Sequence, residues 1–339
     1  MQEKILVIQT AFLGDAVLTL PMIQKLKDKF PSSGIDVLCI PQTKELFEHS
    51  RSVSEVISYD KRGDQKSFLS FLKLIILIRQ KKYSHIYSPH RSFRSSLIVY
   101  LSGARITVGF DIASINFVYG SRVKYIKEKH EVARNLDLIG ADTNNDNWKI
   151  LPIVDIDSSL ESNTESIISN LTNKKAAAVA PGSVWKTKIY PRESYIEIIK
   201  FLIEKNYFVV LLGGKDDELL CSGLEKEFTA AVKTFAGKLS IIESISLLKK
   251  CSVLISNDSA PTHLGMIADI PTLTIYCSTI PAFGFSPYNE KSNYVSYDDL
   301  SCKPCGIHGR NQCPIQTFDC GYKLLPQTVF SSLDKMNLL

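Results

Sequence analysis

Apolar positions along the chain alternate between two periods. Short β-branched runs recur at Lys4–Thr10, Ile35–Ile40, Val56–Tyr59, His85–Ser88 and Arg105–Gly109. Between them, apolar residues spaced three and four apart predict helices over Ala16–Phe30, Thr43–Glu48, Lys66–Lys81 and Ser92–Leu101. A helical piece, His130–Ile139, follows, and then TNNDNWKILPIVDIDSSLESN, rich in Asn, Asp and Ser, reads as a linker. The alternation then restarts. Strands are predicted at Ala176–Ala180, Phe208–Leu212, Lys233–Phe235, Val253–Ser256 and Thr272–Tyr276, and helices at Arg192–Lys205, Glu218–Glu227, Ile241–Lys250 and Thr262–Ala268. Strands alternating with helices of this length form parallel sheets through βαβ units. The expected fold is α/β: two Rossmann-like, doubly wound parallel-sheet domains facing a cleft, residues 1–155 and 156–339.

Composition narrows the class. The 339 residues are 45% hydrophobic and 22% charged, as in an ordinary globular protein. The longest apolar run, FLSFLKLIILI, is interrupted by Lys73 and too short to span a bilayer. A net charge of +5 suits an anionic ligand or membrane face and does not resemble a nucleic-acid binder. No export-type segment opens the chain, so its eight cysteines are expected as reduced thiols in a cytoplasm.

Ligands of doubly wound sheets bind at the carboxyl ends of the strands, which directs attention to the polar residues there. After the first strand comes Gly14-Asp15, one glycine and one carboxylate where a phosphate-binding turn carries several glycines. A carboxylate repels phosphate, so Asp15 reads either as a helix N-cap or as a general base for an acceptor hydroxyl. The segment SPHRSFRS brings His90, Arg91 and Arg94; the arginines, three apart, are expected to share a helical face and hold an anion. In the second half, Ser183, Lys188, Ser259 and His263 combine amides, hydroxyls, a point charge and a helix start, a set suited to a nucleoside diphosphate. Asp258 and Ser259 read equally well as caps of the following helix. Cys302, Cys305, Cys313 and Cys320 fall within nineteen residues, a spacing compatible with a four-thiolate zinc site, with reduced structural thiols and with disulfides; His308 is a further candidate ligand.

The stretches ILVIQTAFLGDAVLTLP, SPHRSFRSSLIVYLSGA, APGSVWKTKIYP, LLGGKDDE, SNDSAPTHLG and CKPCGIHGRNQCPIQTFDC run in order over nearly the whole chain. Together they resemble the ADP-heptose:lipopolysaccharide heptosyltransferase family. The resemblance implies a GT-B fold and an inverting, metal-independent transfer of heptose from ADP-heptose to the lipopolysaccharide inner core. It implies that Asp15 is the base, that Lys188 touches the phosphates, that Asp258, Ser259 and His263 bind the nucleotide, and that Asp216 holds the nucleoside. The sequence departs from the family in Ala260, where glycine is usual and where a methyl is added close to the diphosphate. A lipid-anchored acceptor also implies a cytoplasmic protein, peripheral at the inner face of the cytoplasmic membrane, with contacts at Lys61, Arg62, Lys66, Arg79, Lys81 and Lys82 around the apolar helix. Two other readings share the architecture: a sugar-nucleotide epimerase, which needs no acceptor site, and a non-catalytic nucleotide- or lipid-A-binding protein.

Overall fold

A computed structural model describes residues 3–336. The chain divides into two compact units, Met1–Asp155 and Ile156–Leu339. The first unit runs β1 (Lys4–Gln9), α1 (Leu13–Lys29), β2 (Gly34–Cys39), α2 (Lys44–Glu48), β3 (Glu55–Ser58), α3 (Phe68–Lys81), β4 (His85–Ser88), α4 (Phe93–Ser102), β5 (Ile106–Phe110), β6 (Ser121–Val123) and α5 (Glu131–Asp137). Its sheet has the order β3-β2-β1-β4-β5-β6 with every pairing parallel. The apolar run Ile5–Ile8 is completely buried, as a strand covered on both faces requires. Two helices owe their limits to local chemistry. Ser67 and Ser92 cap α3 and α4, each Oγ accepting from the backbone N–H three residues on. Lys82 and Gly103 stop them in the left-handed conformation, at φ 50° and 77°.

The second unit comprises α6 (Ser158–Leu171), β7 (Ala176–Ala180), α7 (Arg192–Glu204), β8 (Phe208–Leu211), α8 (Glu218–Phe228), β9 (Val232–Thr234), α9 (Ile241–Leu248), β10 (Cys251–Asn257), α10 (Ala260–Ala268), β11 (Thr272–Tyr276), β12 (Asn293–Ser296), α11 (Asp319–Tyr322) and α12 (Pro326–Lys335). Its order is β12-β11-β10-β7-β8-β9, again all parallel. Counted from each unit's first strand, both sheets follow the order 3-2-1-4-5-6, the Rossmann arrangement. The order reverses between β1 and β4 in one sheet and between β7 and β10 in the other. The core of the second unit includes Val179, Tyr195, Ile199, Val209 and Leu273, with Val329 and Leu333 of α12 packed in.

Five elements depart from the expected pattern. Strands β6 and β12 and helices α11 and α12 were not foreseen, and α6 occupies the end of the segment read as linker. Only Thr164 of α6 is buried; its Oγ1 lies 2.7 Å from Ser246 Oγ, and Lys250 meets Glu165 at 2.8 Å. Among the described residues, no helix is long and apolar enough to cross a membrane.

Candidate functional site

At the β1/β4 reversal the chain leaves β1 at Gln9 and re-enters a helix at Leu13. The buried Gln9 side chain pins this loop. Its Nε2 donates to Thr19 Oγ1 at 2.8 Å and its Oε1 accepts from Ala11 N–H at 3.3 Å. The N-cap position belongs to Phe12, which offers no side-chain cap, and Asp15 lies in the first turn of α1, partly exposed. The capping reading of Asp15 is therefore corrected: the helix starts three residues earlier than the apolar spacing suggests. An acid in a first turn is stabilised by the helix dipole.

Beside it, His90 Nδ1 sits 2.9 Å from Thr10 Oγ1 and 2.7 Å from Ser95 Oγ. Burial first, then the Lys61 and Arg91 charges, push the His90 imidazole down to about 4, so it is neutral at pH 7. Lys61 Nζ donates to the Thr10 carbonyl at 2.6 Å and approaches Thr10 Oγ1 at 3.1 Å. Burial, with Arg62 and Arg94 nearby, lowers the Lys61 ammonium to about 8. Lys61 thus belongs to this site and not to an outward basic rim. The expectation that Arg91 and Arg94 share a helical face fails. Ser92 is the cap, so Arg91 lies outside α4, its guanidinium 4.3 Å from the Tyr125 ring centroid. Arg94, inside the helix, donates to the Lys61 carbonyl at 3.1 Å. Position in sequence could not reveal Lys61, because its partner Thr10 is 51 residues away.

At the β7/β10 reversal, Asn257 is the hub. Its Nδ2 donates to the Pro181 and Gly182 carbonyls at 2.7 and 3.2 Å. Its Oδ1 accepts from Tyr190 N–H and the Tyr195 hydroxyl at 3.0 and 2.9 Å. One side chain thereby sets the Pro181–Ser183 loop against the segment carrying Lys188. Lys188 Nζ lies 2.7 Å from Asp258 Oδ2, both side chains mostly buried, and Thr279 Oγ1 donates to the same oxygen at 2.7 Å. Ser259 is the N-cap residue of α10, but neither its side chain nor that of Asp258 makes a capping hydrogen bond: the carboxylate is taken by Lys188 and Thr279, and Ser259 Oγ turns to the Asn257 carbonyl at 3.3 Å. His263 is buried in the same helix start, and its Nδ1 has no hydrogen-bond partner among the described residues. Burial, then the Lys188 charge, pushes its imidazole down to about 3.

Ser183 accepts weakly from Trp185 N–H, at 3.4 Å, on the loop that Asn257 holds. Thr187 is clamped from the C-terminal segment, its N–H donating to the Arg310 carbonyl at 2.9 Å and its hydroxyl accepting from Arg310 N–H at 2.8 Å. Asp216 is exposed on the turn after Gly214; the acid that turns inward is its neighbour Asp217, which accepts from Gly214 N–H at 2.9 Å and packs where a Gly182 side chain would start. Burial raises the Asp217 carboxyl above its ordinary range.

Cys302, Cys305, Cys313 and Cys320, all free thiols, line a cavity of about 240 Å³ together with Arg310 and Asp319. His308 is not in that lining; its ring stacks near Trp185, centroids 6.2 Å apart. Among the described residues, no three His, Cys, Asp or Glu side chains converge as a metal-ligand set.

Two Rossmann sheets, the second with a lysine and a helix N-terminus at its reversal point, make the two-domain α/β architecture called GT-B. Known proteins agree. Residues 71–315 match the profile of glycosyltransferase family 9 (heptosyltransferase). Lipopolysaccharide heptosyltransferase 2 of Escherichia coli K12 is 24% identical over 308 residues, covering 86% of this chain and 87% of that one. The structure of E. coli ADP-heptose lps heptosyltransferase II superposes with a TM-score of 0.80 at 21% identity, covering 98% of each chain. E. coli heptosyltransferase WaaC with ADP-2-deoxy-2-fluoro heptose gives 0.73 at 17% identity, covering 98% of this chain and 99% of that one. The chain belongs to glycosyltransferase family 9, the heptosyltransferases, and is a glycosyltransferase.

Proposed function

We propose that this enzyme transfers heptose from ADP-heptose to the inner core of lipopolysaccharide, with inversion and without a catalytic metal ion. The observation that carries the reading is the buried Lys188–Asp258–Thr279 arrangement with neutral His263 at the start of α10. Asp258 accepts one of the three ammonium protons of Lys188, and the others remain to meet a diphosphate. Sugar transfer passes through an oxocarbenium-like state in which negative charge builds on the departing phosphate. Lys188, the Ser183 and Ser259 hydroxyls and the N-terminus of α10 meet that charge, and Asp216 reaches the nucleoside. His263, held neutral by burial, adds a hydrogen-bonding group without a second buried cation.

Asp15 accepts the proton of the attacking acceptor hydroxyl. Lys61, Arg91 and Arg94, with His90, hold the anionic groups of the acceptor; a cationic set of this kind has no task in an epimerase, which takes no acceptor. The acceptor is lipid-anchored, so the enzyme works in the cytoplasm, peripherally at the inner face of the cytoplasmic membrane. The test is incubation with ADP-heptose and truncated core acceptors, followed by mass analysis. An acceptor gaining one heptosyl residue is expected. Epimerised sugar nucleotide with no mass gain on any acceptor overturns the reading in favour of an isomerase, and unaltered donor favours a non-catalytic binder.

A further inference from the structure

Helix α3 has two apolar faces. Phe71, Leu74, Ile75 and Ile78 are buried in the core of the first unit. The opposite stripe remains in solvent: Phe68 is 72% exposed, Leu69 69%, Leu72 37%, Ile76 55% and Leu77 39%. Five large apolar side chains spaced over three turns form a contiguous patch of the kind that marks an interaction surface. From 65 to 84 the sequence holds no acid. Lys66, Lys73 and Lys82 are exposed and enter no ion pair with the described residues. Not all the local cations face outward: Lys81 is turned inward to Asp36 and Glu55, and Arg79 donates to the Leu101 carbonyl at 3.1 Å.

We infer that the outer face of α3 inserts into the interface of an anionic phospholipid bilayer, with Phe68, Leu69, Leu72 and Ile76 in the acyl boundary and Lys66, Lys73 and Lys82 against the headgroups. This deepens the peripheral placement proposed above and rests on it. An apolar stripe edged by lysines and free of acids is the composition of an interfacial helix. Charge selects this occupant over a second copy of the chain. A two-fold interface on the same face would bring lysine against lysine with no acid in the helix to relieve them. The rigid seat of α3 on the sheet limits insertion to the outer stripe, which fits reversible attachment.

The experiment is flotation of the full chain with vesicles of phosphatidylethanolamine and phosphatidylglycerol, or of phosphatidylcholine alone. Binding to the anionic vesicles only, released by about 0.5 M salt, is expected. Lys66→Glu with Lys73→Glu and Lys82→Glu should lower partitioning at least about tenfold. Leu69→Ser with Ile76→Ser should abolish it, and both variants, altered only at exposed positions, should keep the native melting temperature. Variants that float like the native protein overturn the proposal. So does a native dimer, seen by sedimentation, that the Leu69→Ser and Ile76→Ser changes dissociate. A parallel assay with a water-soluble, delipidated acceptor separates the two levels. Transfer there without vesicle binding removes only this inference, whereas absence of transfer there removes the heptosyltransferase reading.

Discussion

Lys188 and Asp258 hold each other in a mostly buried pair, so deleting one exposes the need for the other. Lys188→Ala leaves a buried carboxylate with Thr279 as its remaining partner, at a cost of about 3 kcal/mol or more. The melting temperature, ADP affinity and turnover should all fall. Adding Asp258→Asn should recover much of the melting temperature and none of the affinity, as calorimetry with ADP would read. Recovery of both would reduce Lys188 to a structural counter-ion. Asp15 behaves differently because it belongs to the other unit. Asp15→Asn should keep ADP affinity within about threefold while lowering kcat by about 10²–10⁴, the span of a lost general base. Near-normal turnover would leave Asp15 only its helix-dipole role. Lys61 gives a pH signature. Its ammonium is lowered to about 8, so it is charged below that pH and loses its proton as pH rises through it. Attraction for an anionic acceptor therefore declines above pH 8, and kcat/KM for acceptor should fall there, with Lys61→Arg removing that limb. The linked effect on stability has the opposite sense. The unfolded lysine titrates near 10.4, so between about 8 and 10 the unfolded chain binds the extra proton and the Lys61 contribution rises with pH.

Elements differ in how openly the sequence announces them. β1, β4, β7 and β11 are buried throughout or nearly so, and the uninterrupted apolar runs of β1 and β7 make those two the plainest. β6 (Ser-Arg-Val) and β12 (Asn-Tyr-Val-Ser) are short edge strands with exposed polar residues, which a hydrophobic pattern cannot distinguish from loop. α6 fully buries only Thr164, and its few apolar residues, Leu160, Ile167, Ile168 and Leu171, are diluted by Ser, Asn and Glu that read as linker. Site residues just after strands were legible because strand ends are. Their partners were not: Thr279 is 21 residues from Asp258, and Asp217 rather than Asp216 turns inward, a choice made by the close approach of Gly182. Asn257 joins these scales, as one side chain at the end of β10 that satisfies two carbonyls, an amide and a hydroxyl in a buried setting. Asn257→Ala leaves several buried groups unpaired, each costing about 1–3 kcal/mol. The melting temperature should drop severely, and in any folded fraction ADP affinity should fall as the Pro181–Ser183 loop loses its anchor. A neutral effect on both would show that the hub is dispensable.

At the scale of the molecule, one topology is used twice for opposite electrostatic purposes. Both reversal points gather polar residues, yet the first has a carboxylate, Asp15, in the opening turn of its helix, and the second has the Lys188–Asp258 pair ahead of the N-terminus of α10. In the second unit the two inward carboxylates are engaged: Asp258 with Lys188 and Thr279, Asp217 with Gly214 N–H. A divalent cation over the diphosphate needs carboxylate ligands that are not so committed. In the function proposed above, the leaving charge is met by fixed protein groups, which need no reorganisation as the bond breaks. Transfer should therefore proceed at an unchanged rate after prolonged treatment with EDTA, assayed without added metal. The thiol-lined cavity of Cys302, Cys305, Cys313 and Cys320 lies in the C-terminal segment that also supplies the Arg310 clamp on Thr187. A prompt loss of rate that magnesium restores would place a cation on the diphosphate and refute the charge assignment to Lys188.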